Sequence, residues 1–276
     1  MRLGISTDLG CKDAAEWGRK MKDLGCSTVV FPKNCMDDEK TIDAFVEAAA
    51  LNDLTIAEVG IWRNPLSLDP EEAERQIQYS IGQLKLADRI GAKCCVNITG
   101  AIGPIWDGAY KENYSKETWD KIVSVTRRII DEASPEYTYY TIETMPWMVP
   151  DSPDQYLEIM EAVDRERLGV HMDLFNMIIT PQRYFFNEEF MDDCFAKLGP
   201  KIKSCHLKNV RLKKEYTIQF EEVSCDKGFI NLERYAQLAS EADPEMPMII
   251  EHLESNEDYF QSMEYVRKRL GAYLYR

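Results

Sequence analysis

The sequence predicts a single-domain (β/α)₈ barrel over residues 1–276, and three observations lead there. Short β-rich runs alternate eight times with longer amphipathic stretches. The length of 276 residues suits a barrel whose typical size is about 250. The glycine-rich loop that an open doubly wound sheet often carries after its first strand is missing. No low-complexity linker divides the chain.

The strand runs are RLGIST (2–7), STVVFP (27–32), TIAEVGIW (55–62), AKCCVNIT (92–99), TYYTIETMP (138–146), LGVHMDLFN (168–176), IKSCHLKNV (202–210) and MIIEHL (248–253). The intervening stretches have helical periodicity. Ile77, Ile81, Leu84 and Ala87 recur every three or four residues, as do Trp119, Ile122, Thr126 and Ile129. Gly25 and Gly91 stand at C-cap positions after their helices, and Pro70 opens a helix after Asp69. The long connections follow strands three, four, six and seven, at the strand ends where barrel enzymes build active sites. Trp62, Arg63, Trp106, Tyr110, Arg183, Tyr184 and Arg211 crowd these loops, either to cover a polar ligand or to pack the loops onto the barrel.

Bulk properties exclude some function classes. A formal charge of −15 and a pI near 4.8 argue against nucleic-acid or anionic-membrane partners, which need clustered Lys and Arg. No run approaches ~20 apolar residues, so no membrane span is expected. MRLGISTDLG lacks a signal-peptide pattern, which makes a cytoplasmic location the default. The eight cysteines include no CxxC pair and are expected to be mostly free, buried thiols.

Four side chains carry the chemistry: Glu143, Asp173, His206 and Glu251, near the C-terminal ends of four successive strand runs. A charge buried there is costly unless paired or metal-bound. Three carboxylates and an imidazole suit a single divalent cation such as Mn²⁺, Mg²⁺, Co²⁺ or Zn²⁺. Strand parity agrees. His206 shares a face with Ser204 and Lys208, Asp173 with His171, and Glu251 with Ile249, whereas His252 has the opposite parity and is expected to face the helices. A cation with open positions can chelate two sugar oxygens and stabilise an enediolate. Carboxylates on opposite walls can remove a proton beside the carbonyl and return it.

The segments IETMP, HMDLFN, CHLKN and IIEH, which hold these four residues, resemble the xylose-isomerase-like barrel superfamily. Within it they look like the sugar phosphate isomerase/epimerase branch, which includes ketose 3-epimerases and inosose enzymes. WRNPLSLDPEE and LADRIGAKCCVNITG extend the likeness over nearly the whole chain. The resemblance implies that Glu143, Asp173, His206 and Glu251 bind the metal, commonly Mn²⁺, and that Glu143 and Glu251 exchange the substrate proton. Ketose epimerases usually carry a substrate-binding histidine where this chain has Asn176, and Arg211 resembles their substrate-binding arginine at a different spacing.

Trp62, Asn97, His171, Asn176, Lys208 and Arg211 are therefore the candidate substrate contacts. Asn97 is equally a candidate turn cap and His171 equally a support behind the metal, whereas Lys208 either holds a substrate oxygen, the reading preferred here, or balances charge beside the metal. The expected partner is a sugar or polyol, and a homo-oligomer fits the relatives. The alternative is a keto-glycoside lyase that uses the same enolisation to expel a sugar-linked group; it would need a leaving-group acid and leaves room for a partner subunit. DNA-repair relatives of this barrel need more histidines and a basic groove, which three histidines and the acidic charge oppose.

Overall fold

A computed structural model describes residues 1–275. The eight predicted strand runs form one parallel sheet. Its members in chain order are β1 (Arg2–Ile5), β2 (Thr28–Val30), β3 (Thr55–Gly60), β4 (Cys94–Ile98), β5 (Tyr139–Glu143), β6 (Leu168–Met172), β7 (Ile202–Leu207) and, after the hairpin β8 (Asn209–Leu212) and β9 (Phe220–Val223), β10 (Pro247–Ile250). The hydrogen-bonded order is β1-β10-β7-β6-β5-β4-β3-β2. The ends of that order meet: the Ser27 amide donates to the Leu3 carbonyl at 2.9 Å and the Leu3 amide to Ser27 Oγ at 3.0 Å. The result is a nearly closed (β/α)₈ barrel. Gly4 permits the closure, because a Cβ there would meet the Thr28 carbonyl oxygen at 2.3 Å.

Helices α1 (Ala14–Leu24), α2 (Glu39–Leu51), α3 (Pro70–Ile90), α4 (Lys116–Ala133), α5 (Pro153–Val163), α6 (Pro181–Phe185), α7 (Asn187–Leu198), α8 (Leu232–Ala242) and α9 (Asn256–Leu270) surround the sheet. Their ends match the sequence signals. Gly25 and Gly91 close α1 and α3 in the left-handed region, and Asp69 accepts from the Glu71 amide ahead of Pro70. Ile77, Ile81, Leu84 and Ala87 turn inward from α3, and Ile122, Thr126 and Ile129 from α4, with Trp119 packed at the edge of the core.

Two expectations change. The seventh strand run stops at Leu207 instead of reaching Val210, and Asn209–Leu212 pairs antiparallel with Phe220–Val223 within the segment read as a loop. Buried Asn209 holds the base of this hairpin: its amide donates to the Cys225 and Ile230 carbonyls at 3.2 and 3.3 Å. The hairpin's two strands are only four residues each, which leaves little alternation to read in the sequence. All eight cysteines are free, and six are buried. No helix among the described residues is long and apolar enough to cross a membrane.

Candidate metal centre

Glu143 is the last residue of β5, Asp173 follows β6, His206 lies one residue before the end of β7, and Glu251 follows β10. These four strands are neighbours in the ring, and Ile249 of β10 is in register with His206 of β7. The four side chains accordingly converge, with one ligand-type atom from each within 4.8 Å of all the others. Nδ1 of His206 lies 3.0 Å from Glu251 Oε2, 3.3 Å from Glu143 Oε1 and 3.8 Å from Asp173 Oδ2. All four residues are buried.

The donor set fits a divalent cation on two counts. Glu143 Oε2 and His206 Nδ1 are buried without a well-formed hydrogen bond, their approaches to other groups being ionic contacts only, and buried polar atoms in folded proteins are normally satisfied. The charge is also unbalanced. Glu58, Glu143, Asp173, Glu222 and Glu251 face a single ammonium, Lys208, together with the three histidines of the chain. Glu143, Asp173, His206 and Glu251 would hold the ion.

Lys208 lies at the point where β7 gives way to the hairpin. Its Nζ donates to Glu251 Oε1 at 2.7 Å and lies 2.7 Å from Asp173 Oδ2 and 3.1 Å from Glu222 Oε2. Burial alone would lower its pKa, but Asp173, Glu251 and Glu222 outweigh that and hold it well above the ordinary lysine value. Burial likewise opposes charge on His206, yet Glu251 and Glu143 raise its pKa. Burial raises Glu143, only partly offset by His206. Against burial, Lys208 and His206 depress Asp173, and His206 and Lys208 depress Glu251. The two glutamates flanking His206 are thus held in opposite directions.

The remaining predicted contacts divide. Trp62 reaches the site: its ring stacks over His206 with centroids 6.4 Å apart. The Asn176 amide contacts Glu143 Oε1 at 3.4 Å, and its backbone N–H donates to Asp173 Oδ1 at 3.0 Å. His171 sits beneath these four residues, with no exposed surface, between Glu58 and Glu143. Asn97 spends its amide on the Arg63 backbone, accepting from its N–H and donating to its carbonyl, both at 3.1 Å. It clamps the loop that carries Trp62.

Arg211 is not brought to the site. It pairs with Glu221 at 2.7 Å, and one strand position separates it from Val210 and Glu222, whose face lines the cavity. Arg183 and Tyr184 pack loops: the arginine donates to the Asp151 and Met177 carbonyls, and the tyrosine stacks on Phe229.

His252 corrects the parity reading. β10 ends at Ile250, and His252 adopts φ +56°, which breaks the alternation. The imidazole turns to the rim, with Nδ1 3.0 Å from Glu222 Oε1 and its side chain 58% exposed. The Glu222 contact raises its pKa, with burial opposing. Sequence reasoning missed Glu222 and Glu58. Glu222 lay in the unrecognised hairpin. Glu58 was visible as a lone acid inside TIAEVGIW.

At least three cavities open on this face of the barrel. Trp62, Arg63 and Trp106 line the smallest of these three, and the other two are larger. One, of about 570 Å³, is edged by Ser6, Asp8, Lys33, Asn34 and Trp62. The other, of about 520 Å³, is walled by Met145, Trp147, Phe175, Ile178, Ile179 and Phe220 and floored by Asn176, Lys208, Glu222 and His252.

A family model described as xylose isomerase-like TIM barrel matches residues 18–269. The chain belongs to this family. Solved structures share its fold at low identity. One is a xylose isomerase-like TIM barrel protein from Mycobacterium smegmatis solved in complex with magnesium, 18% identical, with a TM-score of 0.69 over 95% of this chain and 89% of that one. A second is a probable 3-DHS dehydratase from Bacillus anthracis, at 16% identity and TM-score 0.75 over 98% and 100%. A third is D-psicose 3-epimerase solved with D-fructose, at 15% and 0.71 over 98% and 100%. No curated protein matches the sequence.

Proposed function

We propose that the protein is a divalent-metal-dependent sugar isomerase or epimerase, with Mn²⁺ the foremost candidate metal. The observation that carries this reading is the placement of Glu143 and Glu251 on either side of one imidazole nitrogen, 3.3 and 3.0 Å away. The bound cation would supply Lewis-acid stabilisation of charge developing on substrate oxygens.

The chain's own groups supply the rest. Glu143 and Glu251 move the proton at the carbon beside the carbonyl, one removing it and the other returning it. Lys208 holds Glu251 by one oxygen and leaves the other facing the site. Trp62 offers an apolar face to the sugar ring, and Asn176 fixes Glu143. Fold neighbours that are sugar epimerases, among them a 3-keto-D-glucoside 4-epimerase from E. coli, support the reaction class by analogy.

One observation favours keto-glycoside lysis as the second reading. The aromatic and aliphatic walls of the 520 Å³ cavity suit an apolar group attached to the sugar better than more hydroxyls. The test is deuterium uptake from D₂O by free ketoses, inososes and 3-keto-glycosides, with Mn²⁺ and after chelation. Metal-dependent exchange in a free sugar is expected. Exchange only in keto-glycosides, with release of the attached group, selects the lyase, and no exchange in any of them rejects both.

A further inference from the structure

The four ligand-type residues rest on a second buried layer built around Glu58. This residue is 1% exposed on β3, and β3 lies four strands from β7 in the ring, on the opposite wall. Its Oε1 accepts from Ser204 Oγ at 3.1 Å. Its Oε2 faces two imidazoles, 3.2 Å from Nε2 of His171 and 3.7 Å from Nε2 of His206. Each imidazole turns its other nitrogen upward. Nδ1 of His206 faces the three carboxylates, and Nδ1 of His171 lies 3.6 Å from Glu143 Oε2. The two rings meet edge to face at 4.1 Å.

We propose that Glu58 is a positioning residue that fixes the ring orientation of His206 and His171, so that Nδ1 of His206 is presented to the cation. The inference rests on the metal reading. A histidine ligand generally gives its second N–H to a carboxylate or carbonyl, which sets tautomer and orientation and raises ligand basicity. Glu58 is the only carboxylate near Nε2 of His206 among the described residues. A buried carboxylate needs such partners, because burying it unpaired would be costly. Through His171 the same group also steadies Glu143, one of the two proposed proton carriers.

Glu58→Gln keeps the volume but loses the charge. Mn²⁺ titration of the variant, followed by EPR of the free ion, should show affinity weakened about 10- to 100-fold. The visible spectrum of the Co²⁺-loaded protein should shift relative to wild type. Glu58→Asp, which restores the charge at shorter reach, should recover part of the affinity. Should the Gln variant not fold, Ser204→Ala and Glu58→Asp carry the test, with smaller losses expected.

Wild type binding one ion, with Glu58→Gln matching its affinity and Co²⁺ spectrum, would overturn the positioning role and leave the metal reading intact. Two ions bound by wild type and one by Glu58→Gln would also overturn it, making Glu58 a ligand. Failure of wild type to bind any ion would overturn the metal reading itself.

Discussion

Lys208 Nζ donates to Glu251 Oε1 at 2.7 Å, while the other oxygen of that carboxylate faces His206. The ammonium thereby compensates part of the negative charge before any cation arrives. Removing one partner of a buried ion pair strands the other and costs about 3–5 kcal/mol. Lys208→Met should lose about that much stability in the chelated protein, read by urea denaturation. Added Mn²⁺ should stabilise the variant more than it stabilises wild type.

Metal removal itself should be visible in wild type. A ligand at a hundred times its Kd stabilises a protein by about 2.7 kcal/mol. For a chain of this size that corresponds to a Tm shift of roughly 5–8 °C. His206→Ala should abolish most of the shift, measured by melting with and without EDTA. An undiminished shift would remove His206 from the ligand set.

Glu143→Gln and Glu251→Gln each retain a coordinating oxygen but cannot accept a proton. Each should lower deuterium exchange by about 10²–10⁴-fold while keeping part of the metal, measured by elemental analysis. Near-normal exchange in either variant would end the two-glutamate mechanism.

Asp88, far from the site, gives a pH prediction. It accepts the backbone N–H groups of Tyr137, Thr138 and Glu136 at 2.7, 2.9 and 3.1 Å, tying the end of α3 to the segment entering β5. Burial opposes its charge, but these donors outweigh burial and lower its pKa. Because the folded value lies below the unfolded one, about 3.9, the stabilisation is complete above that pH. It is lost as pH falls through the folded value. Asp88→Asn should cost about 0.5–1 kcal/mol at pH 7, since two of the three hydrogen bonds are exposed to solvent, and the gap to wild type should close below about pH 4.

Gly4→Ala should strain the β1–β2 seam, since the new methyl would meet the Thr28 carbonyl. A loss of about 1–3 kcal/mol is expected from forced overpacking, read from the chemical denaturation midpoint. An unchanged midpoint would show that the seam yields freely.

The sequence by itself determined the eight strands, the helix caps and the inward face of Glu143, Asp173, His206 and Glu251. Those are local properties: a strand alternates every second residue and a helix every third or fourth, so a short window carries the signal. Tertiary structure alone decided the rest. Glu58 meets Ser204 and His206 only because the ring closes and brings β3 across from β7. His252 turns to the rim because the backbone takes a positive φ just past β10. Arg211 leaves the site because the chain after Leu207 folds into a hairpin that sends its side chain to the opposite face. Each depends on contacts between segments distant in sequence, which no local period encodes.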